Sequence, residues 1–196
     1  MRQLPYMHHA EDARLVEAYR SGDEHAFKTL LEKHLGSVYA FIFQLVRDPA
    51  SAEDIAQETF VKVWRNLGRY DVRKPFRTWL FAIAKNSAYD WLKKKRAVPF
   101  SAFVQEGDDK PFENIPDEEL LPDELLMRED AVTQVRHSLD LLATSHRALI
   151  ALVYLEGFSL HEAADILGEP YNTVKSRHQR AITELRRHLS SGSKTD

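Results

Sequence analysis

The chain has 196 residues, of which 43% are hydrophobic, and it contains no cysteine. This length allows one medium or two small domains with packed cores, and the lack of cysteine excludes disulfides, thiol chemistry and cysteine-based zinc sites. The longest apolar stretches are far shorter than the roughly 18 residues that predict a membrane span, and the first residues lack the basic-then-apolar order of a signal peptide. We therefore expect a cytoplasmic protein without membrane insertion.

Charge is unevenly distributed along the chain, although the net charge is only −3. Residues 73–96 contain eight basic side chains and one acidic side chain. Residues 97–130 contain two basic and eleven acidic side chains, and residues 170–190 contain five basic side chains and one acidic side chain. Two basic blocks therefore flank an acidic one. Clustered basic residues are the electrostatic signature of nucleic-acid binding.

The segment 11–96 is predicted to be mostly helical, because its apolar residues recur at helical spacing. One helix covers 26–46, and the next begins at Asp48-Pro49, where aspartate can cap the helix and proline suits its first turn. That second helix is expected to end at Gly68. Its buried side is expected to consist of Ile55, Phe60, Val63, Trp64 and Leu67.

The remaining side of this second helix carries a polar, acidic patch made of Asp54, Gln57 and Glu58. Acidic residues near a helix start can simply complement the helix dipole, and this is the alternative to a binding role. The dipole effect fades beyond the first turn, so it explains Glu58 poorly.

A basic loop at 69–75 leads into a helix from about Phe76 to Lys95. One face of this helix is apolar, and the opposite face mixes basic, amide and aromatic side chains. Such a mixture suits an opened DNA strand, because cations hold the phosphates and rings stack on unpaired bases. Packing in the core remains the alternative for most of the aromatic residues. The candidate strand-binding residues are Tyr70, Phe76, Lys85, Asn86, Tyr89, Lys93 and Arg96.

Residues 97–128 differ in composition, with four prolines, many acidic residues and few periodic apolar positions. This composition predicts a linker. Its negative charge makes it a poor DNA ligand. Two interpretations stay open: a solvated spacer, or a segment that occupies a basic channel of a partner protein as a mimic of nucleic acid.

Beyond the linker, four helical segments are predicted, and the last two carry the sharpest motif. Ser159 and Glu162 form a capping box ahead of a short helix, Gly168 provides a turn, and a basic helix follows at 173–189. A short helix, a glycine turn and a longer basic helix describe a helix-turn-helix. An ordinary solvated basic helix is the alternative, and the capping box and turn disfavour it.

Helical projection of the last helix separates an inner face from an outer one. The residues able to pack inward are Val174, His178, Ala181 and Leu185. Arg180, Gln179 and Ser176 on the outer face suit base edges, whereas cations such as Lys175 and Arg177 suit phosphates. The candidate DNA ligands are Asn172, Lys175, Ser176, Arg177, Gln179, Arg180 and Arg187.

No catalytic or metal-binding constellation is found in the sequence. His161-Glu162 begins like a metalloprotease motif, but Asp165 occupies the position of the second histidine. No phosphate-binding glycine loop, serine elbow or carboxylate dyad is recognised. We therefore assign no catalytic residue, cofactor or metal.

Several of these segments, in this order, resemble an extracytoplasmic-function (ECF) sigma factor, the compact two-domain class of bacterial sigma factors. The resemblance covers about residues 11–190. Residues 52–64 are similar to the polymerase-binding helix, and 76–96 to the segment that melts the promoter near the minus-ten element. Residues 159–181 resemble the helix-turn-helix that reads the minus-thirty-five element. Asn172 and Glu169 depart from the family pattern, which usually has glycine and an apolar residue there.

The resemblance implies a transcription initiation factor that directs core RNA polymerase to promoter DNA, with polymerase performing the chemistry. It assigns the patch Asp54, Gln57 and Glu58 to the polymerase, and it implies an anti-sigma factor as a further partner. A stand-alone helix-turn-helix regulator is the main alternative. A decoy that titrates an anti-sigma factor is a third, but it predicts no DNA-facing surface.

We therefore predict an all-α protein of two small helical domains joined by an acidic linker. The N-terminal domain, 1–96, is expected to resemble sigma region 2. The linker spans 97–128. The C-terminal domain, 129–196, is expected to be a helix-turn-helix that resembles sigma region 4.

Overall fold

The computed structural model describes residues 5–96 and 139–192. All regular structure in these two ranges is helical, which confirms the all-α prediction. The chain divides into two compact units, each built mainly from one of the ranges. No helix among the described residues is long and apolar enough to cross a membrane. The linker predicted at 97–128 lies outside the described residues.

The first range forms α1 (Pro5–Arg20), α2 (Glu24–Val46), α3 (Pro49–Asn66) and α4 (Phe76–Arg96), and α3 continues into a 3₁₀ turn, Leu67–Arg69. The start of α3 is the one that the sequence predicts, with Pro49 in the first turn. There Asp48 accepts a hydrogen bond of 3.0 Å from the amide of Ser51. Asp23 caps α2 in the same way, accepting from the amide of His25 at 3.0 Å.

The core of this unit is organised around α2, which packs against α1, α3 and α4. Phe41 of α2 and Phe81 of α4 are fully buried, and their ring centroids lie 5.3 Å apart. A side chain of this size contributes roughly 1.5–3 kcal/mol when it is removed from water. The apolar stripes read from the sequence therefore supply the cohesion of this four-helix unit.

A buried polar network joins α1 to α2. Asp12 is 1% exposed, accepts a hydrogen bond of 2.8 Å from Lys33 Nζ, and lies 3.1 Å from His34 Nε2. Burial alone would raise the pKa of Asp12, but the hydrogen bonds from His34 and Lys33 outweigh it and hold the pKa below 3.8. The carboxylate therefore stays charged and fixes α1 against α2.

The prediction for the buried side of α3 is wrong at one position. Ile55, Phe60 and Val63 are buried as expected, whereas Trp64 is 53% exposed. Val61, three residues earlier, is also 44% exposed. Trp64 and Val61, three residues apart on the helix, are thus exposed together on the outer side of α3.

The second range contains α5 (Thr144–Ile150), a π-helical turn (Ala151–Leu155), α6 (Leu160–Leu167) and α7 (Tyr171–Gly192). α5 packs against α7. Arg147 is buried in α5 and donates hydrogen bonds of 3.3–3.4 Å to three backbone carbonyls at 139, 140 and 142. One hydrophobic cluster of buried residues consists of Leu139, Leu142, Ile150, Ala181, Ile182 and Leu185.

Candidate nucleic-acid interface

The turn before α7 is built from the motif that the sequence indicates. Glu162 accepts a hydrogen bond of 2.8 Å from the amide of Ser159, and the Ser159 hydroxyl accepts one of 3.2 Å from the amide of Glu162. Gly168 has φ +72°, the left-handed conformation that glycine adopts without steric cost. The capping box fixes where α6 begins, and Gly168 ends it.

The two faces of α7 separate as predicted. Val174, Ala181 and Leu185 are fully buried, and His178 is 8% exposed. Burial lowers the pKa of His178, and its Nε2 lies 3.2 Å from the hydroxyl of Tyr154. Burial thus favours the neutral form of His178 within the packed inner face.

The outer face of α7 presents hydrogen-bonding groups in a defined arrangement. Arg180 Nη2 donates to Ser176 Oγ at 3.3 Å, and that hydroxyl donates to the carbonyl of Thr173 at 3.0 Å. These bonds orient a guanidinium group before any ligand binds. Asn172 and Arg187 are exposed, while Lys175, Ser176, Gln179 and Arg180 are half-buried.

Arg177 does not lie on this outer face, contrary to the accessible position expected of a phosphate ligand. Its side chain is 2% exposed, with Nη1 donating to Glu169 Oε1 at 2.9 Å and Nη2 lying 2.6 Å from Oε2. The spacing from inward-facing Val174, three residues earlier, places Arg177 near the buried side. Glu169, which the family pattern would make apolar, supplies the opposite charge.

Two aromatic candidates of the N-terminal unit also belong to the core. Tyr70 is 6% exposed and Phe76 is 1% exposed, and their rings meet edge to face with centroids 5.5 Å apart. The Tyr70 hydroxyl donates to the carbonyl of Lys74, and burial raises the tyrosine's pKa to about 12. Both rings are thus buried, which favours the alternative of packing in the core over stacking on unpaired bases.

The other candidates on α4 divide into buried and accessible groups. Lys85 is 8% exposed, contrary to the prediction of an exposed face, and its Nζ lies 5.9 Å from the centroid of the Tyr89 ring. Asn86 and Lys93 are exposed, and Tyr89 is half-buried. The side chain of Arg96 lies outside the described residues.

The loop between α3 and α4 contains interactions that sequence reasoning missed. Arg20 at the end of α1 donates to the backbone carbonyls of Leu67 and Tyr70. Asp71 and Arg73 form a two-point ion pair at 2.9 and 3.0 Å, which lowers the pKa of Asp71 to about 2. The basic character of the loop gave the only signal, and it did not identify the distant anchor, Arg20.

The acidic patch on α3 is exposed, as predicted. Asp54, Gln57 and Glu58 are all accessible, and Glu58 lies 2.8 Å from Lys62 Nζ, one turn further along. The exposed Val61 and Trp64 extend this surface with apolar area. The exposed face of α3 therefore carries polar and acidic groups toward its N-terminal half and the apolar Val61 and Trp64 toward its C-terminal end, a composition suited to protein binding.

Two family models match the chain: Sigma-70 region 2 over residues 30–98, and Sigma-70 region 4 over residues 138–187. The ECF RNA polymerase sigma factor SigX of Bacillus subtilis is 30% identical over 85% of this chain and 84% of its own length. The chain belongs to the ECF sigma factors. The RNA polymerase sigma factor CarQ of Myxococcus xanthus is 34% identical over 89% of this chain and 95% of its own.

A solved structure agrees with this membership of the ECF sigma factors. The sigma factor RpoE of Bartonella quintana, determined in complex with the anti-sigma factor NepR, superposes with a TM-score of 0.63. It is 27% identical, over 84% of this chain and 96% of that one. The ECF sigma factor described here is thus a transcription initiation factor, a DNA-binding regulator that directs core RNA polymerase to promoters. Its region 2 match includes α3 and α4, and its region 4 match includes α5, α6 and most of α7.

Proposed function

We propose that this sigma factor reads the upstream promoter element with the outer face of α7. The observation that carries the proposal is the arrangement of Arg180, Ser176 and Gln179, which lie opposite a fully packed inner face. Arginine and glutamine make two-point contacts with guanine and adenine, and serine pairs with either base. Asn172, Lys175 and Arg187 surround this group and supply contacts to the backbone.

The N-terminal unit, in this proposal, performs two further tasks. The accessible groups Asn86, Tyr89 and Lys93 on α4 bind the opened strand near the minus-ten element, where cations and a ring are useful together. Asp54, Gln57 and Glu58 on α3, extended by Trp64, bind the core polymerase through a basic surface of the enzyme. Acidic groups in such an interface steer association and fix orientation.

The proposal includes a regulatory partner and a location. Bartonella RpoE was solved with an anti-sigma factor, which supports an anti-sigma factor for this protein as well. Its place of action is the cytoplasm, where polymerase and promoter DNA meet.

We propose domain limits of 1–96 and 129–196, with 97–128 as the tether. Matches to both sigma regions favour the initiation factor over a stand-alone helix-turn-helix regulator.

Selection from a promoter library tests the base-reading proposal. Core polymerase with this protein selects templates from a library randomised over the upstream element, and the selected sequences give a preference at each position. Arg180→Ala should cost about 1–3 kcal/mol and relax the preference at one position. Lys175→Ala, the matched cationic variant, should weaken binding to all sequences alike. An unchanged profile with Arg180→Ala would remove this arginine from base reading.

A further inference from the structure

Glu169 and Arg177 form a nearly buried ion pair inside the helix-turn-helix. The Arg177 side chain is 2% exposed and that of Glu169 is 19% exposed. Two nitrogens of the guanidinium face two oxygens of the carboxylate, at 2.9 Å and 2.6 Å. The Nη1–Oε1 contact is a hydrogen bond and the Nη2–Oε2 contact is a close ion pair, so the guanidinium and the carboxylate meet at two points.

The pair connects the turn to the recognition helix. Glu169 directly follows Gly168, and its amide donates to the carbonyl of Ala164 in α6 at 3.1 Å. Arg177 lies two turns along from the start of α7. The backbone of Glu169 is thus bonded to α6, and its side chain to α7. Any rotation of α7 about its own axis would disturb the two-point contact.

The ion pair depends on two properties of the Arg177 guanidinium, its permanent charge and its planar shape. A guanidinium group does not lose its proton at physiological pH, so burying it is costly unless acceptors or a negative charge face it, and at Arg177 the Glu169 carboxylate supplies that charge. Lysine would keep the charge but would lose the planar fork. Neither partner can therefore be altered alone without changing the local electrostatics or the geometry.

We propose that the Glu169–Arg177 pair positions α7 for promoter reading, and that Arg177 is not a DNA ligand. The inference rests on the proposed function, because it assumes that Ser176 and Arg180 read bases. These two residues flank Arg177 in sequence, at one residue before and three after. By fixing the rotation of α7 about its own axis, the ion pair directs Ser176 and Arg180 toward the groove of the promoter DNA.

A double-mutant cycle on the holoenzyme tests this proposal. The variants are Glu169→Gln, Arg177→Lys and the combination of the two. The measurements are affinity for a duplex with the selected upstream element, affinity for a scrambled duplex, and the dependence of both affinities on salt. Glu32→Gln is the matched control, since Glu32 belongs to an exposed pair with Lys28 at 3.7 Å, remote in sequence from α7.

Each single variant should reduce discrimination between the two duplexes by about fivefold, the low end of what one two-point base contact provides. The combined variant should be no worse than either single one, because the two residues act as one unit. The salt dependence should keep its slope, whereas loss of a phosphate contact lowers the slope by about 0.9. If the ion pair served only stability, the variants would still discriminate between the two duplexes at temperatures well below their melting temperature.

Three results would overturn the proposal: additive effects in the cycle, parental discrimination in all variants, or a salt slope lowered by about 0.9 in the variant that combines Glu169→Leu with Arg177→Met and so removes the arginine charge. If the single variants do not fold, Glu169→Leu combined with Arg177→Met removes both charges together. Relaxed discrimination in that folded variant supports positioning by the pair, and parental discrimination refutes it. Arg180→Ala is measured in parallel. If Arg180→Ala changes the profile and the pair does not, the further inference fails while the proposed function survives.

Discussion

Arg20, the last residue of α1, donates a hydrogen bond of 2.7 Å from Nη2 to the carbonyl oxygen of Leu67, 47 residues further along the chain. The same nitrogen also donates to the carbonyl of Tyr70. One side chain thus holds the start of the loop that leads into α4. The first helix therefore contributes to the shape of the proposed strand-binding surface without lying on it.

Arg20→Ala should loosen this loop and slow promoter opening. The loss of two hydrogen bonds should lower the free energy of unfolding by about 1–2 kcal/mol. Permanganate reactivity of unpaired thymines, followed over time, measures opening separately from formation of the closed complex. Arg14→Ala, an exposed arginine on the same helix, is the control. Parental opening rates with Arg20→Ala would mean that other contacts are enough to hold the loop.

Phe76 and Tyr89 should respond differently to alanine, although both are aromatic residues of α4. Phe76→Ala removes a fully buried ring and should lower the free energy of unfolding by about 3–5 kcal/mol. Tyr89→Ala, at a half-buried position, should slow opening with a much smaller change in stability. Urea unfolding and permanganate footprinting together distinguish the two effects. A stable Phe76→Ala variant with slow opening would restore that ring to the strand-binding surface.

Reversing charge on α3 should weaken binding to core polymerase. Asp54→Lys with Glu58→Lys replaces acidic groups of the proposed docking surface, so a basic partner surface would repel it. Glu24→Lys with Glu32→Lys makes the same change in net charge on α2 and is the control. Affinity for core polymerase at physiological salt is the measurement. Equal affinities for the two double variants would argue against docking through α3.

Trp64→Ala tests the aromatic part of the same surface. Because this ring is 53% exposed, its removal should change stability little. If it lies at the centre of the interface, its loss should weaken polymerase binding by about 2 kcal/mol or more, roughly thirtyfold. Leu35→Ala, at a residue 41% exposed on α2, is the apolar control. A Trp64→Ala variant that binds like the parent would limit the docking surface to the polar residues.

The C-terminal unit should lose stability in mild acid because of His178. Burial lowers the pKa of this histidine below 6.5, so the folded chain keeps it neutral where the unfolded chain binds a proton. Stability is therefore full above about pH 6.5 and falls as pH drops toward the folded-state value. Hydrogen exchange of α7 amides at pH 7.5 and 5.5, corrected for intrinsic rates, measures this loss. His178→Gln should reduce the pH dependence, and His161→Gln, at an exposed position, should not.

Local signals explain why so much of the helical structure could be predicted. Asp48-Pro49 fixes the start of α3, and Ser159, Glu162 and Gly168 fix the two ends of α6, because caps and turns depend on neighbouring residues alone. The inner face of α7 follows from helical periodicity. These features need no knowledge of which elements meet in space.

The residues whose burial differs from the prediction are placed by tertiary contacts, which helical periodicity in the sequence does not reveal. Arg177 is basic and lies on a basic helix, and its burial depends on an acid at 169, before the helix starts. Tyr70 and Phe76 are adjacent to exposed cations in sequence, but they pack against each other in the folded unit. Trp64 has the hydrophobicity of a core residue, and only the arrangement of neighbouring helices leaves it outside.

The backbone conformation of Gly168, and not a lack of space, restricts which residue can occupy this position. Its φ is +72°, and an added Cβ would meet nothing within 4 Å. An L-alanine would have room there but would strain the backbone by about 1–2 kcal/mol. D-alanine prefers this same φ, so its introduction by peptide ligation should preserve the turn and reduce the freedom of the unfolded chain. The mirror-image residue would therefore stabilise a motif that its natural enantiomer weakens.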